Sequence, residues 1–485
     1  MTALIVHGHF YQPPRENPWT GEVEAEPSAA PFHDWNERIH AECYAPNATN
    51  YAHISFNFGP TLLSWLEIHH PPTYQKILNA DKASAEALGG HGNAIAQAYG
   101  HAILPLCNER DRLTQVVWGL ADFRFRFGRE AEALWLSETA ANDQVLALLI
   151  EQRMRYVILA PDQAKGDVDT SRAYLFRHPD GSGRSLAVFF YNGPLARAIA
   201  FEGALASSRG LVEKFVKAAQ GGDLVNVATD GETYGHHFKF GDLCLAHALE
   251  VEAKEADFWI TNYAQYLDRY APELEVEIDN GPDGEGTSWS CVHGVGRWSR
   301  DCGCHTGGEP GWNQAWRQPL RMALNFLRDE AAVKFESAAG ELLRDPWAAR
   351  NDYIAVMLDQ HARSAFFNQH AVRPLNAQEE ARALMLLEMQ RSALLMFTSC
   401  GWFFSDLAGI ETIQVMRYAA RVIDLLDQMR LDPPRKRFLE LMSEAKSNRP
   451  EKGNGADIFV GVALRGHPSL RGIAWGGHGG PPLQR

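Results

Sequence analysis

Short apolar runs alternate with longer amphipathic segments through the first 300 residues, and this alternation constrains the fold more than any other feature. The apolar runs predict strands at residues 3–6, 54–58, 133–136, 156–159, 187–191 and 224–228. Helices are predicted between them, at residues 111–124, 143–153, 211–219 and 241–253. This alternation is typical of an α/β fold, in which helices cover the faces of a parallel sheet. The number of repeats favours a barrel or a distorted barrel over an open sheet.

The pattern changes in the second half of the chain. Residues 281–312 are rich in Gly, Trp, His and Cys and have no helical period, and irregular segments of this length are usually functional. From about residue 314 to 430 the apolar residues recur at helical spacing, which predicts a helical bundle packed on the barrel. We therefore expect a catalytic barrel at 1–310, a helical bundle at 311–432, and a mostly irregular tail or shortened domain at 433–485.

The composition disfavours two classes of partner. The net charge of −14 argues against nucleic acid and anionic membranes, since both bind basic surfaces. No run approaches the roughly 18 apolar residues of a membrane span, and the N-terminal residues do not resemble a signal peptide. Seven scattered cysteines fit a reducing compartment better than a disulfide framework. We therefore predict a cytoplasmic protein with a small-molecule substrate.

Polar residues directly follow four of the predicted strands: His7, His9 and Gln12; Glu138; Asp162; and Asp230 with Glu232, His236 and His237. In a parallel barrel these strand ends meet at one mouth, where catalytic groups gather. A retaining glycosidase needs two carboxyl groups, one as nucleophile and one as general acid, and Glu138 and Asp230 are the pair that the pattern favours. Further side chains suited to stacking on a sugar or hydrogen bonding with it are Trp135, Trp289, His293 and Trp312.

Each of these residues also has a purely structural interpretation. A Glu after a strand is often the first residue of a helix, and Asp230-Gly231 is a common turn pair. Trp312 could pack in a helix core. The functional interpretation therefore rests on the coincidence of polar clusters at several strand ends, not on any single residue.

Metal binding is the main competing interpretation. The segments His7-Gly8-His9, His236-His237 and Cys302-Gly303-Cys304-His305 contain residue types that bind metals. However, the Cys-x-Cys-His segment has no second pair at zinc-finger spacing, and Cys291 is the only cysteine near it. The sequence also lacks phosphate-binding glycine motifs and the elbow motif of a serine or cysteine nucleophile. We therefore predict no metal and no cofactor, and a structural zinc in the loop at 291–305 stays open as a less favoured alternative.

The motifs resemble those of glycoside hydrolase family 57, retaining enzymes that act on α-glucans and include α-amylases, 4-α-glucanotransferases and branching enzymes. Five segments match in the family's order between about residues 5 and 300: HGHFYQP, GHAILPL, LWLSE, TDGETYGHH and WSCVHGVG. The resemblance implies Glu138 as nucleophile and Asp230 as general acid/base, with His101 and His293 as sugar contacts. It also implies a distorted (β/α)7 barrel followed by a helical domain.

The segments HGHFYQPPRENPW and TSCGWFFSDLAGIETIQVM resemble an uncharacterised bacterial branch of that family, which carries a C-terminal domain of unknown function. Two departures from the family pattern affect the site. Ser137 replaces the usual proline before Glu138, and the insertion of Phe10 and Tyr11 displaces Gln12.

We expect a retaining glycoside hydrolase or transglycosylase, of amylase or glucanotransferase type, that acts on α-glucans by double displacement. Two alternatives stay open: a catalytically inactive glucan-binding relative, and a metal-dependent hydrolase. The predicted substrate contacts are His7, His9, Gln12, His101, Trp135, Asp162, Glu232, His236, His237, Trp289, His293 and Trp312.

Overall fold

A computed structural model of the chain describes residues 1–220 and 222–466. The strands in these ranges are β1 Ala3–Phe10, β2 Ser55–Phe58, β3 Ala96–Gln97, β4 Leu134–Trp135, β5 Tyr156–Leu159, β6 Ala173–Arg177, β7 Ser185–Phe190, β8 Leu224–Asp230 and β9 Trp259–Ile260. Each of the six predicted strands overlaps one of them. The apolar pattern does not predict β3, β6 and β9. Two of these are only two residues long, and β6 is an edge strand antiparallel to β7.

Seven of the strands form a ring of parallel neighbours in the order β1-β2-β3-β4-β5-β7-β8. Extended ladders join β8 to β1, β1 to β2, β3 to β4 and β5 to β7. Single bridges join β2 to β3 and β4 to β5, at Phe56 with Ala94 and at Ala133 with Tyr156. The ring is the predicted distorted barrel of seven parallel strands, and it is distorted because several of its neighbours meet at one residue only.

Asparagine side chains close the ring between β7 and β8. The N–H group of Asn192 donates to the main-chain oxygen of Asn226 at 2.8 Å. The side-chain amide of Asn226 in turn donates to the main-chain oxygens of Phe190 and Thr170, at 3.1 and 2.9 Å. Asn226 is completely buried, so its amide must find these partners inside the protein. A side chain thus supplies part of the hydrogen bonding that a regular ladder would give.

Helices cover the outside of the ring, and the strands are buried on both faces, as the continuous apolar runs predict. In β1, for example, every residue is buried. The helices of the barrel domain are α1 Trp35–Ile39, α2 Pro60–His69, α3 Pro71–Ala87, α4 Glu109–Phe127, α5 Asp143–Glu151, α6 Gly193–Phe201, α7 Ser208–Ala218, α8 Gly241–His247, α9 Ala253–Glu255 and α10 Tyr263–Arg269.

The close approach of α4 to β3 requires a glycine at position 119. A methyl group on Gly119 would lie 2.0 Å from the main-chain oxygen of Gln97. We expect Gly119→Ala to lower the free energy of unfolding by about 1–3 kcal/mol, because backbone must move to admit the methyl group. Urea denaturation measures this. The control is Gly340→Ala near the end of a helix, where no atom lies within 4 Å of the new methyl group; equal losses in both variants would contradict the packing argument.

The helical domain follows the barrel and has a hydrophobic core of its own. Its helices are α11 Arg317–Gly340, α12 Pro346–Asp352, α13 Ile354–Leu358, α14 Arg363–His370, α15 Ala377–Leu395, α16 Cys400–Phe403, α17 Ile410–Gln428, α18 Arg435–Ser443 and α19 Gly455–Gly466. The long helices α11, α15 and α17 pack against one another and bury most of the apolar residues. In the ranges that the structure describes, no helix is both long and apolar enough to cross a lipid bilayer.

The expected irregular tail at 433–485 is wrong for much of its length. Helices α18 and α19 occupy part of it, and they pack through Phe438 and Phe459, whose ring centroids are 4.9 Å apart. Both phenylalanines are fully buried in the core of the helical domain. The prolines and charges around residue 433 mark a turn between helices, not the end of the domain. Residues 467–485 of the predicted tail lie outside the described residues.

A buried arginine joins the helical domain to the barrel. The guanidinium of Arg350 in α12 donates to the carboxylate of Asp111 and to the hydroxyl of Thr114 in α4, both at 2.8 Å. The indole N–H of Trp118, one turn further along α4, donates to the main-chain oxygen of Arg350 at 3.0 Å. Because a charge pair removed from water needs this full set of partners, the contact fixes how the helical domain sits on the barrel.

Candidate active site

A cavity of about 480 Å³ lies at the carboxyl ends of the barrel strands, on the side covered by the helical domain. This volume is in the range of small-molecule sites. Its barrel side is lined by residues that follow β1, β4 and β8: His9, Tyr11, Gln12, Pro13, Arg15, Glu138, Asp230, Glu232, His236 and His237. Its other side is lined by residues of α16, α17 and their connection: Cys400, Phe403, Phe404, Ile410 and Glu411.

Glu138 stands at the end of β4 in a left-handed backbone conformation, with φ 59° and ψ 24°. Such a conformation costs a β-carbon residue about 1–3 kcal/mol and is found mainly where function requires it. Thr139 has a positive φ as well. The amide of Gln163 donates to the main-chain oxygen of Thr139, and the Thr139 hydroxyl donates to the Gln163 amide oxygen, each at 2.8 Å. These bonds stabilise the turn after Ser137, the residue that stands where the family pattern has proline.

Two donors hold the Glu138 carboxylate. The hydroxyl of Ser290 donates to Oε2 at 2.6 Å, and the indole N–H of Trp289 donates to the same oxygen at 3.1 Å. Burial raises the pKa of Glu138, while these two hydrogen bonds and the charge of Arg297 oppose the rise. The donors therefore favour the ionised, nucleophilic form of this carboxyl group.

Asp230, at the end of β8, has the opposite surroundings. The structure shows no donor to its carboxyl group among the residues it describes. The residue is exposed where it lines the cavity. Limited hydration, followed by the negative charges of Glu232 and Glu138, raises its pKa well above the usual value. These surroundings favour the protonated form of Asp230, which can act as a general acid.

Glu232 lies next to this pair and is buried. Its Oε1 accepts a hydrogen bond from the hydroxyl of Tyr44 at 2.7 Å and one from the main-chain N–H of Tyr11 at 3.1 Å. Burial raises its pKa to about 7, against the effect of these two donors. Glu232 can therefore carry negative charge near Asp230 at neutral pH, which keeps the proton on Asp230.

Neutral imidazoles form the floor of the cavity. Burial lowers the pKa of His9 to about 3 and that of His101 well below its usual value. The rings of His9 and His101 stack with centroids 5.2 Å apart, and Tyr11 stacks on His101 with centroids 3.8 Å apart. The floor therefore presents aromatic surface without positive charge, which suits a neutral ligand.

Side-chain hydrogen bonds link these rings to the protein around them. The side-chain nitrogen of Asn57 lies 2.9 Å from His9 Nδ1 and 2.7 Å from Gln97 Oε1. His9 Nε2 is 3.2 Å from His101 Nε2, and His101 Nδ1 is 2.6 Å from the hydroxyl of Ser399. Because protein groups satisfy these nitrogens, the two rings shape the floor and hold one another in place.

The cavity brings together eight of the predicted site residues: His9, Gln12, His101, Glu138, Asp230, Glu232, His236 and His237. Three others support it from behind. His7 is fully buried and stacks on Trp135, with ring centroids 4.6 Å apart, and Trp135 stacks in turn on His9. Trp289 acts through its hydrogen bond to Glu138. For His7 and Trp135, complete burial excludes the predicted contact with substrate in this structure.

Three predicted contacts lie away from the cavity. Asp162 is exposed and does not line it. The Nδ1 atom of His293 faces the sulfur of Cys304 at 3.5 Å, and the ring of Trp312 packs under the guanidinium of Arg449 at 5.4 Å. The position of these residues gives no support to the predicted sugar contacts.

The predicted contacts leave out several lining residues, among them Arg15, which the sequence places in the polar segment after the first strand, and residues of the helical domain. Arg15 follows β1 in the same polar segment as Gln12, and its guanidinium donates to Gln12 Oε1 at 2.9 Å and to Glu26 at 2.7 Å. That segment was the signal for it. Others come from the helical domain, where Phe404 and Ile410 are partly exposed towards the cavity. Exposed apolar side chains give no local signal, because periodicity reports packing within one element.

Two carboxyl groups with opposite surroundings at the mouth of a parallel barrel are an arrangement that glycoside hydrolases use. The sequence model of glycosyl hydrolase family 57 matches residues 37–279, half of the chain, and a domain of unknown function (DUF3536) matches residues 312–475. The chain therefore belongs to glycosyl hydrolase family 57. This confirms the resemblance drawn from the five motifs and that to the branch with a C-terminal domain of unknown function.

Solved structures of other proteins share the fold. An exo-type maltose-forming amylase from Pyrococcus sp. ST04 aligns with a TM-score of 0.74 at 14% identity, over 96% of this chain and 92% of that one. A branching enzyme from Pyrococcus horikoshii aligns with a TM-score of 0.58 at 15% identity, over 96% and 94% of the two chains. A 4-alpha-glucanotransferase from Thermococcus litoralis has a TM-score of 0.54 at 16% identity, over 88% and 60%. At these identities the likeness confirms the fold alone.

A curated relative also matches part of the sequence. Alpha-amylase 1 of Dictyoglomus thermophilum is 24% identical over 107 residues, which is 22% of this chain and 15% of that protein. Because the match spans only a small part of the amylase, it does not show that this chain has the amylase's activity.

Proposed function

We propose that this protein is a retaining glycoside hydrolase or transglycosylase that acts on α-glucans. The observation that carries the proposal is the contrast between Glu138, whose ionised form two donors favour against the effect of burial, and Asp230, which has acidic neighbours and no donor among the described residues. A double displacement needs one ionised and one protonated carboxyl group at the same time. The activities of the structural neighbours, amylase, branching enzyme and glucanotransferase, support α-glucan as the substrate.

The two carboxyl groups divide the reaction between them. Glu138 attacks the anomeric carbon, and the bond to the leaving oxygen breaks while Asp230 gives that oxygen its proton. A β-linked glycosyl ester of Glu138 results. Asp230, now ionised, then takes a proton from the acceptor hydroxyl, which displaces Glu138 and restores the α configuration. Water as acceptor gives hydrolysis, and a sugar hydroxyl gives transfer.

The walls of the cavity suit a neutral sugar. The floor of uncharged imidazoles and Tyr11 offers ring surface, and the partly exposed side chains of Trp35 and Phe404 face the cavity from two sides. Aromatic faces stack on the apolar faces of sugar rings, while Gln12 and Arg15 offer hydrogen-bonding groups. The predicted contacts that line the cavity, such as His236 and His237, remain proposals for individual sugar contacts.

Incubation of the purified protein with maltoheptaose tests this function. Chromatography of the products would show shorter oligosaccharides alone for hydrolysis, and a ladder extending above the starting length for transfer. Binding without any change in chain length would favour the inactive glucan-binding alternative. Activity that survives Glu138→Gln but is lost with a chelator would favour the metal-dependent alternative. Protein that neither binds nor converts α-glucans would overturn the substrate class.

We expect Glu232→Gln to move the alkaline limb of the pH–rate profile to lower pH. Asp230 must be protonated to act as general acid, so the rate falls as the pH rises through its pKa. The charge of Glu232 raises that pKa, and a neutral Gln removes this effect. The amide oxygen of Gln can still accept from Tyr44 and Tyr11. The measurement is kcat/KM against pH for both proteins, and an unmoved alkaline limb would contradict the coupling.

We also propose the cytoplasm as the protein's location. All seven cysteines are free thiols in the structure, although the sulfurs of Cys291 and Cys302 lie 3.8 Å apart. Free thiols in such proximity fit a reducing compartment better than an oxidising one.

A further inference from the structure

The loop that follows the barrel gathers four metal-binding side chains that the mechanism does not use. Cys291, His293, Cys302 and Cys304 place one ligand atom each so that all four atoms lie within 4.8 Å of one another. We propose that these residues bind one structural zinc ion. The loop joins the barrel to the helical domain, so the ion would lie where the two domains meet.

Two of the distances between the ligand atoms are close to those of a tetrahedral zinc site, and the others lie within 4.8 Å. Zinc–sulfur and zinc–nitrogen bonds of about 2.3 and 2.05 Å at tetrahedral angles put two sulfurs about 3.8 Å apart and a sulfur and a nitrogen about 3.6 Å apart. The sulfurs of Cys291 and Cys302 are 3.8 Å apart. The sulfur of Cys304 is 3.5 Å from Nδ1 of His293. Three thiolates and one imidazole in this geometry are a zinc ligand set.

Sequence spacing alone could not identify this set. The ligands form a Cys-x-His pair and a Cys-x-Cys pair, which eight residues separate. His305, the last residue of the Cys302-Gly303-Cys304-His305 segment, is not one of the ligands. The imidazole of His305 turns away and donates from Nδ1 to the main-chain oxygen of Gly307 at 3.0 Å. The fourth ligand is His293, which the sequence assigned to the substrate.

The charge around the cluster is a second, independent observation. Arg317 is fully buried, and its guanidinium donates to the main-chain oxygen of Cys304 at 2.6 Å. Within the described ranges it has no carboxylate within 4.0 Å, and its Nε lacks a hydrogen-bond partner. Arg297 is also buried and has an unpartnered Nε, although its charge also acts on the Glu138 carboxylate, so Arg317 is the cation that carries this argument. Buried cations need a counter-charge. Zinc with three thiolates and a neutral imidazole carries one net negative charge next to them.

The site has a structural role in this arrangement, because four protein ligands leave no open position for substrate. Cys291 directly follows Trp289 and Ser290, the two donors to Glu138. On the other side of the cluster, the hydroxyl of Ser405 is 2.8 Å from the main-chain oxygen of Thr306. The ion would therefore hold the loop that positions the nucleophile and tie it to the helical domain.

The first test is the metal content of the full chain, purified under reducing conditions without added metal. Inductively coupled plasma mass spectrometry should find about one zinc ion per chain. Cys302→Ser and Cys304→Ser should each reduce the zinc content severalfold, because each removes a thiolate. His305→Ala is the matched control in the same loop and should keep the wild-type zinc content.

Cobalt(II) provides a measurement that does not depend on folded variants. Wild-type protein stripped of metal under reducing conditions and titrated with cobalt should develop the thiolate-to-cobalt charge transfer and visible bands of a tetrahedral site, and zinc should displace them. Folded wild-type protein that contains no zinc and gives no such bands would overturn the proposal. So would full zinc content in a Cys302→Ser/Cys304→Ser double variant, or a disulfide between Cys291 and Cys302 in freshly purified protein. None of these outcomes depends on whether the protein cleaves α-glucans.

Discussion

Replacing Glu138 by Gln should lower the rate of glycosidic bond cleavage by at least about 10⁴-fold, in line with the removal of other covalent nucleophiles. The amide oxygen of Gln can still accept from Ser290 and Trp289, so the turn at the end of β4 should keep its shape. The loss should therefore appear in kcat, with little change in oligosaccharide binding or in the unfolding temperature. Initial rates on maltoheptaose, with binding measured by calorimetry, check this.

The control for this variant is Glu202→Gln. Glu202 is an exposed carboxylate at the end of α6 that pairs with Arg197 on the surface. The Glu202→Gln variant should keep the wild-type rate.

A smaller side chain at position 138 gives a sharper test of covalent catalysis. Glu138→Ala with added azide should release a β-glycosyl azide, because azide can occupy the space of the missing carboxylate. Wild-type turnover by Glu138→Gln would overturn the assignment of the nucleophile.

Replacing Asp230 by Asn should slow the cleavage of α-glucans by about 10²–10⁴-fold, the usual contribution of a general acid/base. A sugar alkoxide is a poor leaving group and needs the proton that Asp230 gives. A glycosyl fluoride leaves without protonation, so formation of the glycosyl intermediate from it should be affected far less. The ratio of the two effects, measured with maltooligosaccharide and α-maltosyl fluoride, separates an acid/base role from a general loss of structure.

The pH dependence of kcat/KM distinguishes the ionised nucleophile from the protonated general acid. Wild-type kcat/KM should be bell-shaped, because the rate falls below the pKa of Glu138, which must be ionised, and above the pKa of Asp230, which must be protonated. Burial raises the pKa of Glu138, and limited hydration together with the charges of Glu232 and Glu138 raises that of Asp230. Asp230→Asn should remove the alkaline limb and keep the acidic one. If the acidic limb vanished instead, the two roles would have to be exchanged.

The helical domain contributes directly to the candidate site. Phe404 and Ile410 line the cavity opposite the two carboxyl groups, and Glu411 lies 3.9 Å from the guanidinium of Arg15 on the barrel side. Residues of the helical domain therefore form the outer wall of the cavity. Differences in acceptor choice among proteins of this fold can therefore arise from the helical domain without any change in the carboxyl pair.

The sequence by itself determined six of the seven barrel strands and the two carboxyl groups that we propose as the catalytic pair. The runs before Glu138 and Asp230 are mostly apolar, with Asn226 as an exception, because strands buried on both faces favour apolar side chains. The polar pairs that follow them, Ser137-Glu138 and Thr229-Asp230, mark the strand ends, and parallel strands bring those ends to one mouth. The local sequence was sufficient to locate these strand ends, because a run of consecutive apolar residues indicates a buried strand and the polar residues after it indicate where the strand ends.

Only the tertiary structure decided which other residues reach the cavity. His7 and His9 are two residues apart on one strand, yet His9 lines the cavity while His7 lies behind it against Trp135. Phe404 joins the site from more than 160 residues beyond Asp230, and His293 turns from it towards Cys304. These placements follow from the packing of two domains and from the path of a long loop. Neither leaves a periodic signal in the sequence, because each depends on contacts between residues distant along the chain.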